Sequence, residues 1–504
     1  MTDEPRKTEF VEAFYRGRRD APATPVIDDR TWGDLDMDEV FHAIDRTRSS
    51  VGQACLYDML RRPLFDATEI EERARRTHAL ASDGAARGRL SRVLTRLGVQ
   101  RDGEAFRFLV SHSASISDKR RFIFIALSIL VFVGIALVVG FGLNGLILLA
   151  PVVITNFIIH YKHKTVVVVE SPSYQYLHRL MAAADRLPRL RIAHVSARAE
   201  ALGELSKSFR RLRRRTALLM SPTGLSGDIV SVLIEYIRAC FLQEVITHYL
   251  AHNEIVARRA ELIRMYGLVG EIDAFLSVAT LRAERPTLCT PQIVPGRQFE
   301  GEGMVHPLLE KPVANSLTMA GRGVVVTGSN MSGKSTFLRT IGVNQILATT
   351  LGLAFARRMR ITAMLTVSSI TNRDNILASE SHYLVEAKRL LDILAAARDM
   401  RPALVIIDEI LSGTNSEERI AASISILRHL AGLNCLVVAA THDRAIAADL
   451  GGIYGTAHFT HKVEEEGLQF DYTLREGIVE AGNAIKLLRL LGYPQEIMGG
   501  LMES

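Results

Sequence analysis

Gly328 and Gly333 bracket a segment, Gly328-Ser329-Asn330-Met331-Ser332-Gly333, that runs directly into Lys334 and Ser335. The spacing is GxxxxGK[ST]. Glycine at both ends permits a tight backbone path that aims successive N–H groups at an anion. A lysine in the next position reaches the β and γ phosphates of a nucleotide, and a serine hydroxyl after it is a ligand for Mg²⁺. Val324 to Thr327 reads as a short strand before the loop, and the residues from Lys334 onward open a helix. A helix N-terminus attracts phosphate, so this is the context the motif requires. Residues 328–335, with Thr336 behind them, are therefore candidate ATP-binding residues, and Lys334 is the one expected to act on the transferred phosphate.

Two further strands end in groups suited to the same chemistry. ALVIIDE, Ala403 to Glu409, is an apolar run closed by two acids. Asp408 is placed to hold Mg²⁺ through water, jointly with Ser335, and Glu409 to polarise an attacking water. CLVVAATH, Cys435 to His442, ends in a histidine that would point toward the γ-phosphate, in a catalytic or sensing role. Strand ends converging on one crevice are what an open α/β sheet offers a ligand.

The elements that must carry these groups divide the chain of 504 residues into several segments, and the length suffices for two or three buried cores. Residues 1–26 read as a polar tail without the apolar core of a signal peptide. Residues 27–117 recur at helical spacing, with Asp66 and Thr68 preceding an acidic first turn at Glu69, Glu71 and Glu72. Residues 166–290 are again helical and amphipathic, and include a basic cluster, Lys207 to Arg215, around an inward Leu212. That cluster reads either as a phosphate- or headgroup-contacting patch or as a solvated helix face. After Pro286 and Pro291 short β-rich runs alternate with helices, so residues 291–504 are expected to form a parallel-sheet domain. The net charge of +6 suits an anionic partner, though weakly. Cys55, Cys240, Cys289 and Cys435 are scattered, with no CxxC pair and no histidine at ligand spacing, so neither a zinc site nor a disulfide framework is expected.

Residues 118–165 stand apart. Phe122 to Ile159 is a run of 38 residues without a charged side chain, broken by Gly142-Leu143-Asn144-Gly145. Spanning a bilayer core takes roughly 20 apolar residues of helix. Lys119, Arg120 and Arg121 precede the run, and Lys162 and Lys164 follow it. Basic flanks on both sides predict a two-span hairpin in the cytoplasmic membrane, with both the N- and C-terminal portions cytoplasmic. The alternative is a helical hairpin buried in a soluble core.

Taken together, the motifs resemble the MutS family more closely than a generic nucleotide-binding loop. TGSNMSGKSTFLR is similar to that family's TGPNMxGKSTxLR, with Ser329 in place of proline and Ser332 in place of glycine. DEILSGTNSEE, from Asp408, and THDRAIAADL, from Thr441, resemble the segments that follow its second and third motifs. NILASESHYLVEAKRL resembles the family's signature segment. There the resemblance implies that Ser381 completes the site of an opposite subunit, and hence a homodimer with two composite ATP sites. KPVANSL resembles the strand before the loop, but Pro312 stands where the family places an adenine-stacking aromatic; His458 aligns with a second adenine-side position. Upstream, residues 34–66 and 268–281 resemble the family's helical core and lever ends.

The resemblance implies an α/β P-loop ATPase domain of ABC type following an all-α core and lever domain, itself interrupted by the transmembrane hairpin. ATP and Mg²⁺ are the implied cofactors and DNA the family-implied partner. The hairpin occupies the place of the family's DNA clamp, and the mismatch-reading domain has no counterpart. Two outputs compete: a DNA-associated ATPase at the membrane, and an ATP-driven membrane switch for a protein partner. A third reading, an ABC transporter subunit, lacks the spans to enclose a path.

Overall fold

The computed structural model describes residues 9–17, 25–100, 104–111, 118–219, 229–329, 332–370, 382–411, 415–464 and 467–478. The chain forms two compact units. One gathers residues 1–20, 46–58 and 79–280; the other gathers 21–45, 59–78 and 281–504.

The first unit is helical. Helix α1, Asp118–Phe141, is followed by one 3₁₀ turn, Gly142–Gly145, and by α2, Leu146–Arg186. The two helices pack closely where side chains are absent: a Cβ on Gly145 would stand 2.4 Å from the Val138 nitrogen, and one on Gly134 2.9 Å from Leu149. The stretch Lys119–Val167 is long and apolar enough to cross a membrane, and 17% of its most apolar window is buried within the protein. Phe122, Phe132, Val139, Phe141 and Ile147 all face outward. A soluble protein rarely presents so much continuous apolar surface.

A neighbouring helix, Ile229–Cys240, lies against α2. Asn156, fully buried on α2, donates to the Cys240 carbonyl at 2.7 Å, and Lys164 pairs with Glu235 at 2.5 Å. Helix α3, Gln243–Ala257, continues from there, with Val245 and Tyr249 packed on Phe124 of α1. Leu212 is buried, as its place in the basic cluster predicts.

The second unit is built on a six-stranded sheet. Its strands are β1 (Val324–Thr327), β2 (Leu365–Ile370), β3 (Ala403–Asp408), β4 (Cys435–Thr441), β5 (Gly455–His458) and β6 (Arg475–Glu476). The spatial order is β6-β5-β1-β4-β3-β2, parallel throughout except for the antiparallel β6. Every residue of β1 and β4 is buried, the continuous apolar run of a strand covered on both faces. Helices α4 (Lys334–Leu351), α5 (His382–Ala397), α6 (Ser416–Ala431) and α7 (Arg444–Leu450) alternate with the strands. Val405, Ile407, Val437 and Ala439 form one core with Ile393, Leu427 and Tyr454. A second sheet pairs Gln298–Met304 with Asn315–Ala320 and Arg358–Ile361.

Among the described residues, the edge strand β2 is closed by side chains rather than by another strand. Ile370 N–H donates to the Asp34 carboxylate at 2.9 Å, as does the Ser368 hydroxyl at 2.7 Å, and Ser368 N–H donates to Thr31 Oγ1 at 3.1 Å. Arg389 on α5 takes the Ser368 carbonyl at 2.7 Å. Thr31 and Asp34 lie on a short helix, Asp29–Asp34, that Asp28 caps through Thr31 N–H at 2.9 Å. Burial pushes the Asp34 carboxyl upward, against the opposing pull of the two donors. The acidic helix start read from Asp66 is also present, since Asp66 accepts from Thr68 N–H at 2.8 Å before helix Ala67–Ser82.

Candidate active site

The parallel register sets the carboxyl ends of five strands on one line. Thr327 of β1 lies opposite Thr441 of β4 and His458 of β5, and Asp408 of β3 lies opposite Ala440 and Ile370. The residues after these positions meet at one edge.

The loop from Gly328 to Gly333 leaves β1 and enters α4. Gly328 has φ +147°, and a Cβ there would stand 2.8 Å from Ser332 Oγ and 2.9 Å from the Phe459 carbonyl. Gly333 caps α4 with φ +99°. Both positions call for glycine. Ser332 closes the turn, its hydroxyl donating to the Ser329 carbonyl at 2.7 Å. Asn330 and Met331 lie outside the described residues, and so does Ser381.

Lys334 is 2% exposed, and its ammonium donates to the Gly328 carbonyl at 2.5 Å. Burial lowers its pKa, while Asp408 and Glu409 pull it back up. The Ser335 hydroxyl donates to Asp408. Burial raises the Asp408 carboxyl, opposed by Ser335 and Lys334 and reinforced by Glu409. This pairing of hydroxyl and carboxylate oxygens is a hard donor set of the kind Mg²⁺ takes, so the residues fit that ion.

Glu409 departs from ordinary backbone geometry. It has φ +56°, as does Leu411, although neither is glycine. Such conformations cost on the order of 1 kcal/mol or more and cluster at functional sites. Its N–H donates to the Ala440 carbonyl at 3.0 Å, which fixes the turn after β3. The carboxylate meets His442 Nδ1 at 3.1 Å. His442 Nε2 lies 3.5 Å from Arg419, and Arg419 pairs with Asp443 at 3.0 Å. Arg419 and Asp443 were not singled out from sequence, although THD and an arginine one turn into α6 were visible there.

Beside the N-terminus of α4 is a cavity of about 240 Å³, lined among others by His306, Val313, Asn315, Thr336, Phe337, Phe459 and Tyr472. His458 is not part of this lining; its Nδ1 faces the Gly477 carbonyl at 3.0 Å. Tyr472 supplies an aromatic wall, although Pro312 occupies the position where sequence comparison expects one. Asn315 holds the Tyr472 segment from both sides, donating to its carbonyl at 2.9 Å and accepting from Leu474 N–H at 2.7 Å.

Burial, reinforced by the charge of Arg339, pushes the His306 imidazole down to about 4. A histidine in the unfolded chain titrates near its ordinary value of about 6.5. The unfolded chain therefore takes up a proton that the native site refuses, and stability is lost as pH falls through the window between these values. Denaturant unfolding is expected to report about 2 kcal/mol less stability at pH 5 than at pH 7 from this residue, a difference that His306→Gln removes.

Comparison with known proteins bears on this unit. A sequence profile of MutS domain V matches residues 324–502. A protein of Dinoroseobacter shibae named "DNA mismatch repair protein MutS" is 30% identical over 282 residues, covering 53% of this chain and 32% of that protein. One of Aquifex pyrophilus with the same name is 29% identical over 241 residues, 46% of this chain and 28% of that protein. "DNA mismatch repair protein MutS 2" of Halobacterium salinarum is 28% identical over 258 residues, covering 49% and 29%. The chain thus spans only 28% to 32% of the length of these curated relatives.

Proposed function

We propose, from the match of residues 324–502 to MutS domain V, that this chain is a membrane-anchored P-loop ATPase of the MutS family whose nucleotide cycle drives a dimeric helical switch associated with DNA. The observation that carries the reading is the alignment, at one sheet edge, of buried Lys334, the Ser335–Asp408 pair and the strained Glu409 with its His442 partner.

In this reading the loop 328–333 cradles the phosphates and Lys334 binds the β and γ oxygens. Ser335 and Asp408 hold Mg²⁺, which when bound neutralises charge on the phosphates. Glu409 orients the attacking water and accepts its proton, while His442 fixes the carboxylate and faces the γ-phosphate. Ser381 of a second copy completes the site, so hydrolysis follows dimer closure and is transmitted as a switch between ordered states. The adenine lies in the cavity beside α4, against Tyr472. Replacing Tyr472 by alanine is expected to raise the Kd for ATP about fivefold, since an aromatic stack contributes about 1 kcal/mol beyond its buried area. A fluorescent-nucleotide titration measures it.

The helices α1 and α2 would cross the membrane as a hairpin, with the Asn144 turn on the far side. The uncharged run Phe122–Ile159 that they share, with Phe122, Phe132, Val139, Phe141 and Ile147 facing outward, supports this. A second reading, action on a protein partner without DNA, is favoured by one feature of the basic cluster. Arg213 pairs with Asp185 at 3.0 Å and Arg215 pairs with Glu254, so two of its cations are already engaged. Lys207, Arg210, Arg211 and Arg214 remain exposed.

Steady-state ATP hydrolysis by the detergent-purified chain, with and without duplex, mismatched and branched DNA, tests the proposal. DNA stimulation that fades steeply with added salt supports it. Turnover indifferent to every DNA moves the reading to the protein partner, and absence of turnover overturns the ATPase itself.

A further inference from the structure

Outside the nucleotide site, three groups suited to a metal meet where α2 faces α3. Glu170 on α2 and His248 and His252 on α3 bring their ligand atoms within 4.8 Å of one another. The two histidines are four residues apart, one helical turn, so they share a face of α3. His248 Nε2 already lies 2.9 Å from Glu170 Oε2. The imidazole rings stand 6.0 Å apart, and both residues are buried, at 3% and 4% exposure.

The surroundings hold these groups in place. Tyr174, one turn beyond Glu170, donates to the same carboxylate oxygen at 3.2 Å and packs edge-on against His248 at 5.6 Å. Phe108 closes the other side, edge-on to Tyr174 and to His252. A Glu–His hydrogen bond alone accounts for one imidazole. The second imidazole comes to the same carboxylate from the next turn, so three ligand-capable groups converge on one point.

We propose that Glu170, His248 and His252 form a binding site for a divalent transition metal, with Zn²⁺ the ion that two imidazoles and one carboxylate best suit. Four-coordinate zinc binds nitrogen at about 2.0–2.1 Å and carboxylate oxygen at about 2.0–2.2 Å, so its ligand atoms stand roughly 3.3–3.5 Å apart. The pair at 2.9 Å is inside that separation, and atoms within 4.8 Å close the rest by side-chain rotation. The fourth position falls to water or to the Tyr174 hydroxyl. No zinc site is expected from the surroundings of the cysteines, but His248 and His252 themselves stand at the i, i+4 spacing of metal ligands on a helix, and their carboxylate partner is 78 residues upstream on another helix. Such an ion would pin α3 to α2 just beyond the apolar stretch, clamping the base of the hairpin.

The full chain, purified in detergent and stripped with a chelator, is titrated with Zn²⁺ against a chromophoric competitor, and Co²⁺ is then substituted for its visible spectrum. One equivalent per chain with the intense absorption of four-coordinate cobalt is expected. His248→Ala and His252→Ala should each weaken binding by at least about a hundredfold, since even outer-shell changes cost ten- to a hundredfold. X-ray absorption on the zinc-loaded wild-type chain needs no variant, and imidazole with oxygen in the first shell supports the site. Failure to bind Zn²⁺, unchanged affinity in a folded His252→Ala chain, or a sulfur ligand overturns it.

Discussion

Replacing Glu409 by glutamine is expected to leave ATP bound while slowing its hydrolysis about a hundred- to ten-thousandfold, the usual contribution of a positioned general base. The substitution keeps the size of the side chain and removes only its capacity to accept a proton. It also keeps an oxygen to face His442 Nδ1, which lies 3.1 Å from the native carboxylate. The backbone at residue 409 is held by its N–H bond to Ala440 and not by the side chain, so φ +56° should persist. Single-turnover hydrolysis beside a nucleotide-binding titration separates the two quantities. Rapid turnover in the variant would remove Glu409 from the role of base and leave His442 as the nearest alternative.

Replacing Lys334 by alanine should act a step earlier and abolish measurable nucleotide binding at micromolar concentration. An ammonium donating to phosphate in a buried site contributes charge-assisted hydrogen bonds of about 1.5–3 kcal/mol each, so affinity falls by a hundredfold or more. Folding should survive, because two effects oppose each other. Removing a 2% exposed cation relieves its desolvation cost, while Asp408 and Glu409 lose a neighbouring positive charge. The Asp408 carboxyl, already raised by burial, then rises further. Unchanged ATP affinity in a folded Lys334→Ala chain would be incompatible with the proposed phosphate site.

What the sequence made legible was whatever chemistry and period are written locally. The loop glycines, the apolar strands ending at Asp408 and Thr441, and the alternation of strand and helix are short-range patterns, and the sheet register brings their ends together as expected. The polar partners were not legible, because they join distant positions. Asn315 holds a segment 157 residues away, and Asp34 serves a strand 336 residues on. No periodicity announces such pairs. The aromatic wall of the cavity is a case of the same kind: Pro312 and His458 hold the expected adenine-side positions, whereas Tyr472 arrives from the far end of the unit. Which cations of the basic cluster are engaged was not legible either, since the acids that pair with Arg213 and Arg215 lie on other helices. Helix Ile229–Cys240 looked merely amphipathic, and its place beside α2 became clear only through Asn156 and Lys164.

The closure of β2 by Thr31 and Asp34 has a consequence for how the nucleotide-binding unit can be handled. An exposed edge strand is a template on which another chain can add, and proteins suppress this by covering or interrupting the edge. Here the stopper is a single helical turn supplied from far upstream. A fragment cut to begin at the sheet itself would keep every nucleotide-binding group yet carry open N–H groups at Ser368 and Ile370. Its first defect would be self-association, strand upon strand, before any loss of chemistry. The upstream turn thus decides whether the sheet ends or grows.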